Sequence, residues 1–509
     1  MFAAQPLPQP AVSPPMPRRT PLLLTLLVAL AFAVRFHAID RFATGYDELF
    51  SALEANGLFP ALIGPGTAFT GADLSAHDSW RGAARACVAT DGGNGILYIL
   101  ALHAWTETFG NSNLAIRLFS LCCGLVVVLL THRLALELNG DGTAALLAAG
   151  LAAMAPLLVD YSQEARGYML GTALTLEATR LYLRISRSAD ASVSALARYG
   201  LVAGMALLVH YYAAYILVAH AAHAVLRHAP RRWLGWGAVA VPIAAACMGA
   251  WMLLGGWEGL GNMARHQASY AALLVANPEY DTYYRAATPL HLAQELFVQF
   301  LWLSGNSLLN LGPSLRVVAL LLAVPAGLLA GLRWAAAKQG DGALLLALLA
   351  IAGPAYTLLL SALSGHTFGM RYYYVMFSAP AAVMLLARGA LGWLRAARAP
   401  QRLMGGTLLA CLVAVMALSI STFYRFGYRG NNQPEQVAPL ALAVDALAAA
   451  APHARIGLVH ATDRDAIAFN LHLGPDAAGV PQVIDGLSPQ RHAVIATLGG
   501  EPRVVLRLR

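Results

Sequence analysis

Along this chain the apolar positions gather into long uninterrupted runs separated by short polar connections. The runs are roughly 17 to 25 residues long, enough for a helix to cross a hydrocarbon layer about 30 Å thick. Candidate spans lie at 21–39, 113–137, 143–159, 167–186, 196–209, 212–228, 232–254, 313–334, 342–362, 372–394 and 403–423, which predicts about eleven transmembrane helices. With Arg18 and Arg19 on the cytoplasmic side, the even-numbered connections should carry the short-loop bases. Arg184, Arg187 and Arg198 share one such connection, and Arg227, Arg231 and Arg232 the next. Arg333 and Lys338 occupy another, and Arg395, Arg398 and Arg402 the last. ELNGDG at 137–142 is the weak one, with only Arg133 nearby. Reading the first run as a cleaved signal peptide would leave residue 40 onward on the same side.

The opposite face then receives the long polar segments, 40–112, 255–312 and everything after about 425. The stretch NGILYILALHAWTETFG at 94–110 is apolar on one side and broken by His103, Glu107 and Thr108. It reads as an interfacial helix, because a span there would invert the arginine distribution downstream. From 430 the pattern changes. VAPLALAVDALAAAA reads as a helix, and RIGLV, QVI, AVIATL and VVLRL as short strands separated by turns such as GPD and DG. The organisation predicted is a disordered cytoplasmic tail at 1–19, a transmembrane domain at 20–425 and a small outer α/β domain at 426–509.

Composition supports this architecture. Of 509 residues, 58% are hydrophobic and 12% charged, with a mean hydropathy of +0.58, which excludes a water-soluble domain of this size. The net charge of +8 is scattered over loops and tails, so it reads as a topology signal and excludes a nucleic-acid partner. Among the five cysteines, Cys122, Cys123, Cys247 and Cys411 fall in apolar runs and Cys87 in a polar segment, with no disulfide framework or metal spacing. GLLAG at 327–331 reads as a packing motif.

Four polar clusters fall on the outer face. GYDELFSALEA at 45–55 carries adjacent Asp47 and Glu48, and PLLVDYSQEARGYM carries Asp160, Tyr161, Gln163, Glu164 and Arg166. VHYYAAY at 209–215 brings His210 and Tyr211, and SGHTFGMRYYY at 364–374 brings His366, Arg371 and Tyr372. Each has a bland reading alone: a helix N-terminal device, an interfacial ion pair, a belt of interface aromatics, an anchoring arginine. Charge at membrane depth is costly, so convergence on one face predicts a shared cavity. There carboxylates can take a hydroxyl proton or hold a divalent ion, and arginines can hold a phosphate bidentately. No ligand spacing requires a metal.

The order of these pieces resembles a known family. An acidic pair after the first span is followed by LYILALHAWTETFGNSNLAIRLFSLCCGL, YSQEARGYML, HYYAAYILVAHA and RYYYVMFSAPA. This resembles the bacterial C-type (GT-C) membrane glycosyltransferases related to protein O-mannosyltransferases and lipid A aminoarabinose transferases, glycosyltransferase family 39, over most of residues 20–425. YSQEARGYML is the most specific piece. The resemblance implies a GT-C-like helical bundle in the bacterial inner membrane. It also implies transfer, usually with inversion, from a polyprenyl-phosphate sugar to a lipid, glycan or protein acceptor on the periplasmic face. Asp47 would act as general base or orient the acceptor, with Glu48 in support. Asp160, Glu164 and Arg166 would line the cavity, and Arg166 or Arg371 would hold the donor phosphate. Two features depart from the family: DGGNG at 91–95 stands where relatives carry His-Pro-Pro, and the Gly-rich stretch 57–95 has no lysine to meet a phosphate.

Two rivals fit less well. A transporter would require an inverted repeat or Gly/Pro-broken helices near midplane, and neither is evident. A polysaccharide polymerase or ligase would depend on outer arginines and a histidine more than on Asp47.

Overall fold

The computed structural model describes residues 20–40, 46–58, 68–69, 78–90, 92–276, 285–307 and 341–426, isolated positions between 308 and 340, and four strands after 454. The expected tail at 1–19, the expected span at 313–334 with its GLLAG motif, and the expected helix at 437–451 lie outside these residues, apart from those isolated positions.

Ten of the eleven expected spans appear as helices. They are α1 (Thr20–Phe36), α5 (Asn113–Asn139), α6 (Gly142–Met154) continued by the short α7 (Pro156–Asp160), α8 (Tyr168–Arg187), α9 (Val193–Val209), α10 (Ala214–Arg227), α11 (Pro230–Trp251), α14 (Asp341–Ser364), α15 (Ala379–Leu394) and α16 (Ala399–Phe426). The protein is an integral membrane protein. Its helix boundaries follow local chemistry. Ser112 accepts from the Ala115 amide to start α5, and Gly140, at φ 63°, ends it. Asp141 then accepts from the amides of Thr143 and Ala144 to start α6. Pro156, which has no N–H to donate, separates α6 from α7.

The long polar segments are helical too. Residues 40–112 fold into α2 (Tyr46–Ala55), α3 (Trp80–Thr90) and α4 (Ile96–Phe109). At 14 residues, about 21 Å, α4 is too short to span, as its pattern predicted. Ala52, Ala55, Ala83, Cys87, Ile99 and Leu102 pack α2, α3 and α4 into a second core beside the main one. The stretch 255–312 contributes α12 (Trp257–Ala276) and α13 (Pro289–Leu303).

Strands β2 (Arg455–Leu458), β3 (Gln482–Ile484), β4 (Ala493–Leu498) and β5 (Glu501–Arg507) coincide with the strands expected in the tail. They form one sheet with β1 (Ala68–Phe69), in the order β1-β3-β2-β5-β4. β1 belongs to the segment 40–112 and pairs antiparallel with β3, Ala68 opposite Val483. The tail sheet therefore incorporates chain from more than 400 residues earlier, which the sequence pattern did not reveal.

Candidate active site

The site is built around a cluster of tyrosines where the start of α8, the end of α9 and the approach to α15 meet. Tyr161 and Tyr168 meet edge-on at 4.9 Å between ring centroids, and Tyr373 lies 5.8 and 5.7 Å from them. Tyr372 and Tyr374 flank Tyr373 at 5.5 and 4.6 Å, and Tyr372 stacks on Trp302 of α13 at 4.2 Å. His210 closes the group, 5.3 Å from Tyr168 and 6.0 Å from Tyr374. The run 372–378 is a 3-10 helix. Its three-residue turn spreads consecutive tyrosines over three directions, so that all reach neighbours in the cluster.

Four charged side chains surround these rings. The carboxylate of Asp47, half-buried in the first turn of α2, acts on Tyr168, Tyr373 and Tyr374. Asp160 acts on Tyr161 and Tyr372, and Glu164 on Tyr161, Tyr168, Tyr372 and Tyr373. Arg166 acts on Tyr168 and His210, and donates from Nη1 to Ser51 Oγ at 3.4 Å. A fifth, Arg371, acts on Tyr373. Asp47, Asp160, Tyr161, Glu164, Arg166, His210, Arg371 and Tyr372 thus converge. Burial, reinforced by neighbouring negative charge, holds the Tyr161 phenol well above its usual range, so it remains a hydrogen-bond donor. Burial and the Arg166 charge push the His210 imidazole down to about 3. Its Nδ1 accepts from the Tyr212 amide at 3.1 Å, which leaves Nε2 to carry the proton of the neutral ring.

A cavity of about 310 Å³ adjoins this cluster, with His210 and Tyr374 forming part of its wall. Asn94, Tyr211, Tyr356, Ser364 and His366 also line it. Two tight backbone passages shape it. In the segment DGGNG, Gly93 has φ 75°, and a Cβ there would stand 2.6 Å from the Trp251 ring, so glycine is required. Asn94 accepts from the Tyr211 amide at 3.2 Å, and the Tyr211 hydroxyl donates to the Gly93 carbonyl at 3.3 Å. On the other side Thr367 donates to the Arg285 carbonyl and Ala287 to that of Gly365, both at 2.9 Å. This short ladder brings Arg285 and Glu295 beside Arg371. Burial raises the Glu295 carboxyl, against the charges of Arg371, Arg285 and His291.

Two residues expected in the cavity have their polar atoms committed elsewhere. Glu48 is fully buried and accepts from Arg117 Nε at 2.8 Å and Nη2 at 2.7 Å, and from the Ala165 amide at 2.9 Å. On a helix adjacent residues point about 100° apart, so Asp47 faces the tyrosines while Glu48 faces inward. Gln163 donates from Nε2 to the Arg35 and His37 carbonyls at 2.7 and 2.9 Å, fastening the segment 160–167 to the end of α1. Sequence reasoning missed Arg117, Tyr168, Tyr373, Tyr374, Arg285 and Glu295 as members of this environment. Tyr168 sits inside the motif already singled out, and the other two tyrosines read equally well as interface aromatics. Arg117 had no signal, since its partner lies 69 residues away. Among the described residues no group of three or more His, Cys, Asp or Glu is gathered to hold a metal ion.

Residues 94–251 match the family described as dolichyl-phosphate-mannose-protein mannosyltransferase. No curated protein sequence matches the chain. Among solved structures, ArnT from Cupriavidus metallidurans bound to undecaprenyl phosphate superposes with a TM-score of 0.53 at 15% identity, over 95% of this chain and 97% of that one. Its apo form gives 0.54 at 13% identity, over 88% and 84%. The Archaeoglobus fulgidus oligosaccharyltransferase gives 0.50 at 13% identity; the match covers 90% of this chain and 64% of the archaeal one. The fold is that of the GT-C membrane glycosyltransferases. The sequence match to the mannosyltransferase family is confined to residues 94–251.

Proposed function

We propose that the protein is an inverting glycosyltransferase of the bacterial inner membrane. In this reading it moves a sugar from a polyprenyl-phosphate donor to an acceptor hydroxyl on the periplasmic face. The observation that carries the reading is the convergence of Asp47, Asp160, Glu164, Arg166 and Arg371 on one tyrosine cluster from three segments of chain, beside a cavity. Asp47 takes the acceptor proton as the acceptor oxygen bonds the anomeric carbon from the face opposite the phosphate. The bond from that carbon to the phosphate oxygen breaks, and polyprenyl phosphate leaves with the electron pair. Arg371 and Arg166 stabilise the charge that develops on the phosphate, a term that dominates such reactions. The protonated Tyr161 phenol and the neutral His210 Nε2–H orient sugar hydroxyls. Glu48 is a positioning residue that fixes α2, and with it Asp47, through Arg117. The charged groups also bear on the rivals: acids and arginines clustered at one face suit group transfer better than a path through the bilayer. Transfer from radiolabelled polyprenyl-phosphate sugars into membrane extracts, comparing wild type with Asp47→Asn at matched expression, tests the reading. Loss in the variant supports it, and equal transfer removes Asp47 from the chemistry.

A further inference from the structure

A second cavity, of about 330 Å³, lies between α8, α9, α10 and α11 at the membrane face opposite the tyrosine cluster. Leu196, Ala203, Leu217, Val225, Trp233 and Val241 supply much of its apolar lining. Val225 and Val241 are 55% and 64% exposed, so the groove opens toward the lipid side of the bundle. The polar side chains on its floor are occupied. His220 Nδ1 meets the Tyr199 hydroxyl at 3.1 Å and His220 Nε2 meets Thr179 Oγ1 at 3.0 Å, while the Tyr182 hydroxyl meets His223 Nδ1 at 2.7 Å. What remains available to an occupant is hydrocarbon surface.

The rim has the opposite character. Arg232 lies 5.0 Å over the Trp236 ring, and Trp236 itself lines the groove. One guanidinium nitrogen of Arg232, Nη2, bonds the Ser186 and Ser188 carbonyls, while its buried Nε has no hydrogen-bond partner among the described residues. Arg231 is exposed beside it. Arg227, the other base of this connection, is paired with Asp341 at 3.1 Å.

We propose that this groove is a binding site for one anionic phospholipid of the adjoining leaflet, with an acyl chain between α9, α10 and α11 and the phosphate on Arg232. Within a bilayer an acyl chain gains little by leaving other lipid for protein, so selectivity must come from the headgroup contact. A partly exposed guanidinium stacked on the aromatic rim of a hydrocarbon groove, with exposed Arg231 beside it, suits a phosphodiester with net negative charge. The site is on the face opposite the proposed transfer chemistry and stands independently of it.

Native mass spectrometry of the full-length protein, titrated with phosphatidylglycerol or phosphatidylcholine, tests this. Wild type should retain one phosphatidylglycerol in preference to phosphatidylcholine, and Arg232→Gln should weaken that retention about fivefold. Because Arg232 also holds backbone carbonyls, Gly237→Trp serves as the second variant. Gly237 lines the groove and a Cβ there meets no atom within 4 Å, so the indole fills the space and should abolish retention. Equal binding of phosphatidylcholine, undiminished retention in Gly237→Trp, or a polyprenyl phosphate as the retained lipid would each overturn the proposal.

Discussion

The carboxylate of Glu48 and the guanidinium of Arg117 meet through two hydrogen bonds of 2.8 and 2.7 Å, with both side chains buried. The pair joins α2 to α5, and its remaining capacity is taken by the Ala165 amide and by the Ile39 carbonyl, which accepts from Arg117 Nη1 at 2.7 Å. One ion pair thus gathers the end of α1, the start of α5, the helix that bears Asp47 and the segment that bears Glu164 and Arg166.

Removing either partner leaves a buried charge uncompensated. Glu48→Ala or Arg117→Ala should each cost about 3–5 kcal/mol, whereas Glu48→Ala combined with Arg117→Ala should cost less than the two single changes summed. Thermal unfolding in detergent measures this, and near-additive single costs would argue against the pairing.

Asp47→Asn is expected to behave differently from its neighbour. Its melting temperature should stay near wild type, while transfer falls by about a hundredfold to ten-thousandfold, the usual contribution of a general base. Initial rates at saturating donor, set beside the melting curve, separate the two effects.

Arg371→Lys keeps the charge and loses the planar fork. If Arg371 holds the donor phosphate, the expected loss is about 2 kcal/mol, roughly thirtyfold in kcat/KM for the donor. An unchanged kcat/KM would transfer that task to Arg166 or Arg285.

His210 predicts a pH dependence. Its folded value lies near 3, below the ordinary 6.5, so between these values the unfolded chain binds a proton that the folded one refuses. Stability from this group is therefore complete above about pH 6.5 and is lost as pH falls toward 3. Relative to wild type, His210→Asn should flatten the decline of melting temperature over that window, because asparagine does not titrate. Parallel slopes would assign the decline to other groups.

How much of this was legible beforehand differs between residues. The spans were readable because a segment that crosses hydrocarbon must be apolar all along its length, a property of the segment alone. That the polar clusters would gather at one end of the bundle was readable because charge at membrane depth is costly and tends to converge. The length of α4 and the strands of the tail followed from equally local patterns. Asp47 and Glu48 looked interchangeable, since adjacency in sequence carries no information about which one a helix turns toward the core. Gln163 looked like its neighbours Asp160 and Glu164 until the α1 carbonyls appeared beside it. Hydropathy and charge order, being local, determined where the helices lie in the chain and which connections carry the polar clusters. Only the tertiary structure decided which members of each cluster face the tyrosines or the cavity beside them and which are spent holding helices together. A buried charge is defined by its partner, and the partners here, Arg117 for Glu48 and the end of α1 for Gln163, are 69 and more than 120 residues away.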